Sequence, residues 1–117
     1  MRPVSLAFAL ALAAAAPALA APARIPAAQS AAHVGQTVTV VGVLSGVHVT
    51  GGGSVLWNVG GAYPGNPITI FIPLRVSGIP DGHALIGKTL AITGTITRYH
   101  DKPEIVIKDK AQVAVAR

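Results

Sequence analysis

The chain has 117 residues, 51% of them hydrophobic and 11% charged, with nine Lys and Arg against four Asp and Glu for a formal charge of +5. That length suits one small domain, and so apolar a composition excludes a wholly disordered, charged chain. The absence of cysteine excludes a disulfide framework and a thiolate metal site.

Residues 1–20 read as a secretory signal peptide. Met1-Arg2 supplies a positive start, Val4 to Ala16 is an uncharged apolar run, and Pro17 breaks it before the small-x-small pattern Ala18-Leu19-Ala20. The run is shorter than the ~20 residues of a membrane span. Cleavage after Ala20 is therefore expected, with delivery to a bacterial periplasm or the medium. Residues 21–34, rich in Ala, Pro, Gln and Ser, read as a flexible leader or a short helical turn.

From Gly35 to the end the pattern is that of an all-β domain. Gln36 to Leu44 is nearly alternating and β-branched, and predicts the first strand. Gly51-Gly52-Gly53 marks a turn, and Ser54 to Val59 a second strand. Gly60 to Pro67 is dense in turn residues. Ile68 to Ile72 is a third strand, with its isoleucines on one face and Thr69 and Phe71 on the other. Pro73 to Gly87 predicts a loop with one helical turn at most. Thr89 to Tyr99 is a long fourth strand, with Leu90, Ile92 and Ile96 on the core face and its threonines outside. His100-Asp101-Lys102 turns the chain into a fifth strand, Pro103 to Ile107, and Val113 to Val115 extends an edge. Gly35-Gln36-Thr37 through Gly42 resembles Gly87-Lys88-Thr89 through Gly94, and a glycine midway along a strand marks a bend or bulge. Five strands, two of them bent, predict a sandwich or a small barrel.

The segments Gly35-Gln36-Thr37-Val38-Thr39-Val40-Val41-Gly42-Val43 and Gly87-Lys88-Thr89-Leu90-Ala91-Ile92-Thr93-Gly94-Thr95-Ile96, followed by Tyr99 and then Lys102-Pro103-Glu104-Ile105, resemble the OB-fold. The Tyr99 to Ile105 hairpin is similar to that of OB-fold nucleic-acid-binding domains, including the anticodon-binding and exodeoxyribonuclease large-subunit types. Leu56-Trp57-Asn58-Val59-Gly60-Gly61-Ala62-Tyr63-Pro64 is similar to a segment of small exported OB-fold proteins. The plan of a signal peptide plus one such domain is also that of the bacterial exported OB-fold stress proteins. The resemblance covers residues 35 to about 115. It implies a five-stranded Greek-key barrel over 35–117 and a binding role. One departure is Asp101, where many relatives carry glycine.

OB-folds that bind single strands stack bases on aromatic side chains along a basic groove. The candidates here are the aromatics Trp57, Tyr63, Phe71 and Tyr99 and the bases Arg98, Lys102 and Lys108. If Leu56 packs inward, Trp57 and Phe71 form an outward platform. The alternative is that Trp57 caps an open barrel end while Phe71 fills a gap. Arg98, Lys102, Lys108 and Lys110 put positive charge at the C-terminal hairpin, either as a polyanion-binding surface or as ordinary solvated surface. His33, His48, His83 and His100 lack metal-ligand spacing. Ser45, Ser54 and Ser77 lack a nucleophile-elbow context, and the glycine triplet lacks the lysine and helix of a phosphate loop. No cofactor, metal or catalytic set is implied. The expected role is a non-catalytic binding module for single-stranded nucleic acid or another polyanion. The alternative is an envelope protein- or oligosaccharide-interaction module of a stress-response type.

Overall fold

The structure is a computed structural model, and it describes residues 21–116; the expected signal peptide lies outside the described residues. Seven strands account for nearly half of it: β1 (Arg24–Pro26), β2 (Thr37–Val49), β3 (Val55–Val59), β4 (Ile68–Ile72), β5 (Thr89–Tyr99), β6 (Lys102–Val106) and β7 (Val113–Val115). The single helical turn α1 (Gly82–Leu85) precedes β5, and 3-10 segments span Ala27–His33 and Lys110–Gln112.

β-Branched residues at alternate positions drive these strands, because such side chains pack well on a pleated surface with one wet face. Ile68, Ile70 and Ile72 are buried on β4, and Leu90, Ile92 and Ile96 on β5, while Thr89, Thr95 and Thr97 are exposed. The bounds of β4 and β5 match those expected from alternation. β2 runs beyond Leu44 to Val49, because a register shift between Leu44 and Gly46 absorbs a residue and pairing resumes on β3.

Pairing runs in the order β1-β2-β3-β4-β6-β5-β7, and β2 also pairs with β5. The five strands β2, β3, β4, β6 and β5 thus form a cycle of neighbours, antiparallel throughout except for the parallel pair β4–β6. Two strands close the cycle by changing their partner in it along their length. Thr37–Val43 of β2 pairs with β5 while Leu44–Val49 pairs with β3, and Thr89–Thr95 of β5 pairs with β2 while Ile96–Tyr99 pairs with β6.

The two similar sequence segments are each other's partners. Thr37 lies opposite Thr95 and Thr39 opposite Thr93, each pair of hydroxyls 2.7 Å apart. Gly35 N–H donates to Ile96 O at 2.7 Å, and its counterpart Gly87 N–H donates to Leu44 O at 2.9 Å. The internal likeness therefore records a local two-fold arrangement of the two bent strands.

Gly94 sits where β5 passes over β6. A Cβ there would lie 2.6 Å from Ile105 Cγ2 and 3.1 Å from Gln112 Nε2. Ile105 is fully buried, so its methyl has nowhere to go. Gly94→Ala is expected to lower stability by about 1–3 kcal/mol through overpacking, read as a lower urea midpoint; an unchanged midpoint would show that β6 can back away.

Residues 21–34 hold more structure than a loose leader. β1 pairs in parallel with β2, and the 3-10 segment packs on the core through Ala27 and Ser30, 4% and 0% exposed. Ser30 is satisfied by donating to Ala27 O at 2.7 Å. The helical-turn reading describes this segment better. Among the described residues no helix is long and apolar enough to cross a membrane.

Candidate functional site

Alternation that sends the isoleucines of β4 inward sends Thr69 and Phe71 outward. The register carries this face across the sheet: Leu56 of β3 lies opposite Phe71, and Glu104 of β6 opposite Thr69. Three connections rise around it, bringing Thr50 from the β2–β3 turn, Tyr63 and Pro64 from the β3–β4 loop, and His100 from the β5–β6 turn. With Tyr99, Lys102 and Pro103 they enclose a groove of about 540 Å³.

The β3–β4 loop is held by a buried amide. Asn66, 3% exposed, donates through Nδ2 to Ile68 O at 2.8 Å and to Thr69 Oγ1 at 2.9 Å. Its Oδ1 accepts from Lys102 Nζ at 3.2 Å, and the same ammonium donates to Pro64 O and, at 3.4 Å, to Asn66 O. Lys102 Nζ also lies 5.6 Å from the centroid of the Tyr63 ring, within cation–π range. Lys102 therefore positions Tyr63 at the rim, and much of its hydrogen-bonding capacity is spent on the loop.

Opposite, Tyr99 and His100 meet edge to face, with centroids 4.1 Å apart. His100 and Asp101 form the two-residue turn between β5 and β6, with φ of 50° and 64°. This is the left-handed region, where His and Asp are the more tolerated non-glycine residues. Asp101 thus serves where a glycine was the simpler solution.

Glu104 is half-buried on the groove floor, and its carboxyl has no hydrogen-bond or ion-pair partner among the described residues. Burial pushes its pKa above the ordinary 4.5. A carboxyl harder to ionise when folded keeps its proton to higher pH than in the unfolded chain. Its contribution to stability therefore falls as pH rises from 4.5 through the raised value. Glu104→Gln should accordingly raise the urea midpoint at neutral pH and leave it nearly unchanged below pH about 4; an equal gain at both would contradict this.

Four of the seven expected contact residues meet here: Tyr63, Phe71, Tyr99 and Lys102. Tyr63 and Tyr99 are 73% and 61% exposed. Of the two positions considered for Trp57, the outward one is corrected and the buried one is found: it lies opposite Ile70, points into the core and is 1% exposed. Its indole edge packs beside Val47 and Gly82 at the other end of the core, next to a smaller cavity of about 300 Å³. Arg98 and Lys108 are exposed but do not line the groove. Arg98 shares a strand side with Ile96, opposite to that of Thr97 and Tyr99. Residues the sequence reading did not select include Leu56, Thr69, His100 and Glu104. The alternation of Glu104 with Ile105 was the signal for its outward direction. Among the described residues no cluster of three or more His, Asp or Glu could hold a metal ion.

No known family's sequence profile matches the chain, and no curated protein matches it significantly. Among solved structures it is similar to a chain described as an aspartyl-tRNA synthetase from Leishmania major Friedlin, with a TM-score of 0.54 and 11% identity. The match covers 86% of this chain and 22% of that one. A likeness at that identity concerns the fold, and the chain spans about a fifth of the other protein's length.

Proposed function

We propose that the strand cycle is an OB-fold Greek-key barrel, and that the protein is an exported, non-catalytic module that binds single-stranded nucleic acid in the groove over β3, β4 and β6. The observation that carries this reading is the convergence of Tyr63, Phe71 and Tyr99 on one groove. Strands two and three of an OB-fold, with the loops beside them, form the usual oligomer-binding face, and β3 and β4 hold those places in the cycle. The name of the structural neighbour associates it with tRNA, which agrees with this choice of ligand. Export rests on residues 1–20. Sequencing the N-terminus of envelope-fraction protein should return Ala21, and a cytoplasmic chain that retains Met1 would contradict export.

Stacking, more than charge, dominates such a site. The basic side chains of the groove are Lys102, whose N–H donors already serve the loop, and His100, so no more than one or two phosphate contacts are expected. Fluorescence anisotropy with a labelled single strand should show binding at micromolar protein. The slope of log K against log salt should lie between about −0.7 and −1.4. No binding at low salt would overturn the reading. A much steeper slope would move the site to the exposed bases outside the groove.

The unpartnered Glu104 carboxyl favours one second reading, a neutral oligosaccharide. Sugar hydroxyls would donate to it while the aromatic rings cover the sugar faces. Binding of glycan fragments and of no nucleic acid strand would select it.

A further inference from the structure

We propose that Glu104 makes the groove selective for base type, favouring strands that contain guanine over strands of thymine alone. This rests on the nucleic-acid reading above. Glu104 occupies the middle of the groove floor, opposite Thr69 on one side and Thr97 on the other. Phe71 and Tyr99 line the same groove. The Thr97 hydroxyl donates to the main-chain oxygen of Glu104 at 3.2 Å and not to its carboxyl. Lys102, two positions earlier on the strand, is committed to Pro64 and Asn66. A half-buried carboxyl with no donor from its own chain is a place for a donor from a ligand.

The charge of that group decides which part of a strand can face it. A carboxylate repels phosphate, so the backbone is directed to the rim and base edges to the floor, where the rings stack them. An ionised carboxylate only accepts hydrogen bonds. The pairing edge of guanine presents two adjacent N–H donors, a match for the two carboxylate oxygens. Adenine and cytosine present one amino group beside an acceptor nitrogen. Thymine presents one N–H between two carbonyl oxygens, both of which the carboxylate repels. The expected order is guanine first, adenine and cytosine next, thymine last. A well-aligned pair of this kind discriminates by roughly tenfold.

The test compares two labelled heptamers at neutral pH, one all thymine and one with a single central guanine, on the full mature protein and on Glu104→Gln. The amide keeps the shape but offers one donor and one acceptor. Wild type should bind the guanine strand roughly tenfold tighter, and Glu104→Gln should reduce that ratio to near one while still binding both strands. Equal affinity of wild type for the two strands would overturn the selectivity and leave the binding reading intact. A guanine preference that survives in Glu104→Gln would place the selection elsewhere and also overturn it. Binding of neither strand would overturn this proposal together with the reading beneath it.

Discussion

Trp57→Ala is expected to destabilise the fold by about 3–5 kcal/mol, while the surviving folded protein binds a single strand as wild type does. The indole is 1% exposed, lies opposite Ile70 on β4, and meets Val47 and the bare Cα of Gly82 on its other side. Removing it opens a void that these rigid neighbours cannot close. Its Nε1 has no hydrogen-bond partner among the described residues, so the lost stabilisation comes from packing and apolar burial and not from a polar contact. A domain this small has about 5–15 kcal/mol in total, so the alanine variant is near the limit of folding. Trp57→Phe provides the second measurement: it should fold, lose less stability and keep full affinity. A Trp57→Phe protein that is stable yet binds the strand many-fold more weakly would return this residue to the binding surface.

The second large effect is on affinity. Phe71→Ala and Tyr99→Ala should each weaken single-strand binding by about 1–3 kcal/mol, or about five- to 150-fold, if each ring stacks one base. Tyr99 is 61% exposed at the end of β5, and its truncation should leave the denaturation midpoint within about 0.5 kcal/mol of wild type. Phe71 is half-buried on β4, so its variant should also lose some stability. The pair separates the two roles: loss of affinity in Tyr99→Ala without loss of stability marks a contact residue. Arg98→Ala and Lys108→Ala, outside the groove, serve as controls and should change affinity little. Variants that reverse this pattern, with the basic pair mattering and the aromatic pair not, would shift the interface to the surface that carries Arg98 and Lys108.

The strands were legible wherever apolar and polar residues alternate cleanly. Ile68 to Ile72 and Thr89 to Tyr99 keep their isoleucines and Leu90 at every second position or its multiple, and both their bounds and their core faces follow from it. β3 defeated the same reasoning because Val55, Leu56, Trp57 and Val59 are all apolar, so the sequence has no phase to read. The phase is set by the partner strand, where Trp57 falls opposite the inward Ile70 and Leu56 opposite the outward Phe71. The packing of residues 21–34 was hidden for a related reason. Ile25 is a lone large apolar residue among Ala, Pro and Arg, and its burial depends on the parallel pairing of Ile25 with Val40. The site followed the same division. Tyr63, Phe71, Tyr99 and Lys102 were recognisable as residue types suited to a binding groove. The place of Glu104 among them needed the parallel β4–β6 register, which joins residues far apart in the chain. Clustering of bases in sequence overstated their clustering in space, because Arg98 lies on the strand face opposite to Tyr99 and because Lys108 and Lys110 lie beyond the end of β6.

The central claim is that ligand lies across β3, β4 and β6 between Tyr63 and Tyr99. Its most direct test is a residue-resolved NMR titration of the protein with a short single strand. Amide shifts should concentrate at Thr50, Leu56, Tyr63, Thr69, Phe71, Tyr99 to Lys102 and Glu104, and leave Val47, Ile79 and His83 at the opposite end still. Shifts gathered at that opposite end, or spread evenly over exposed lysines and arginines, would contradict it.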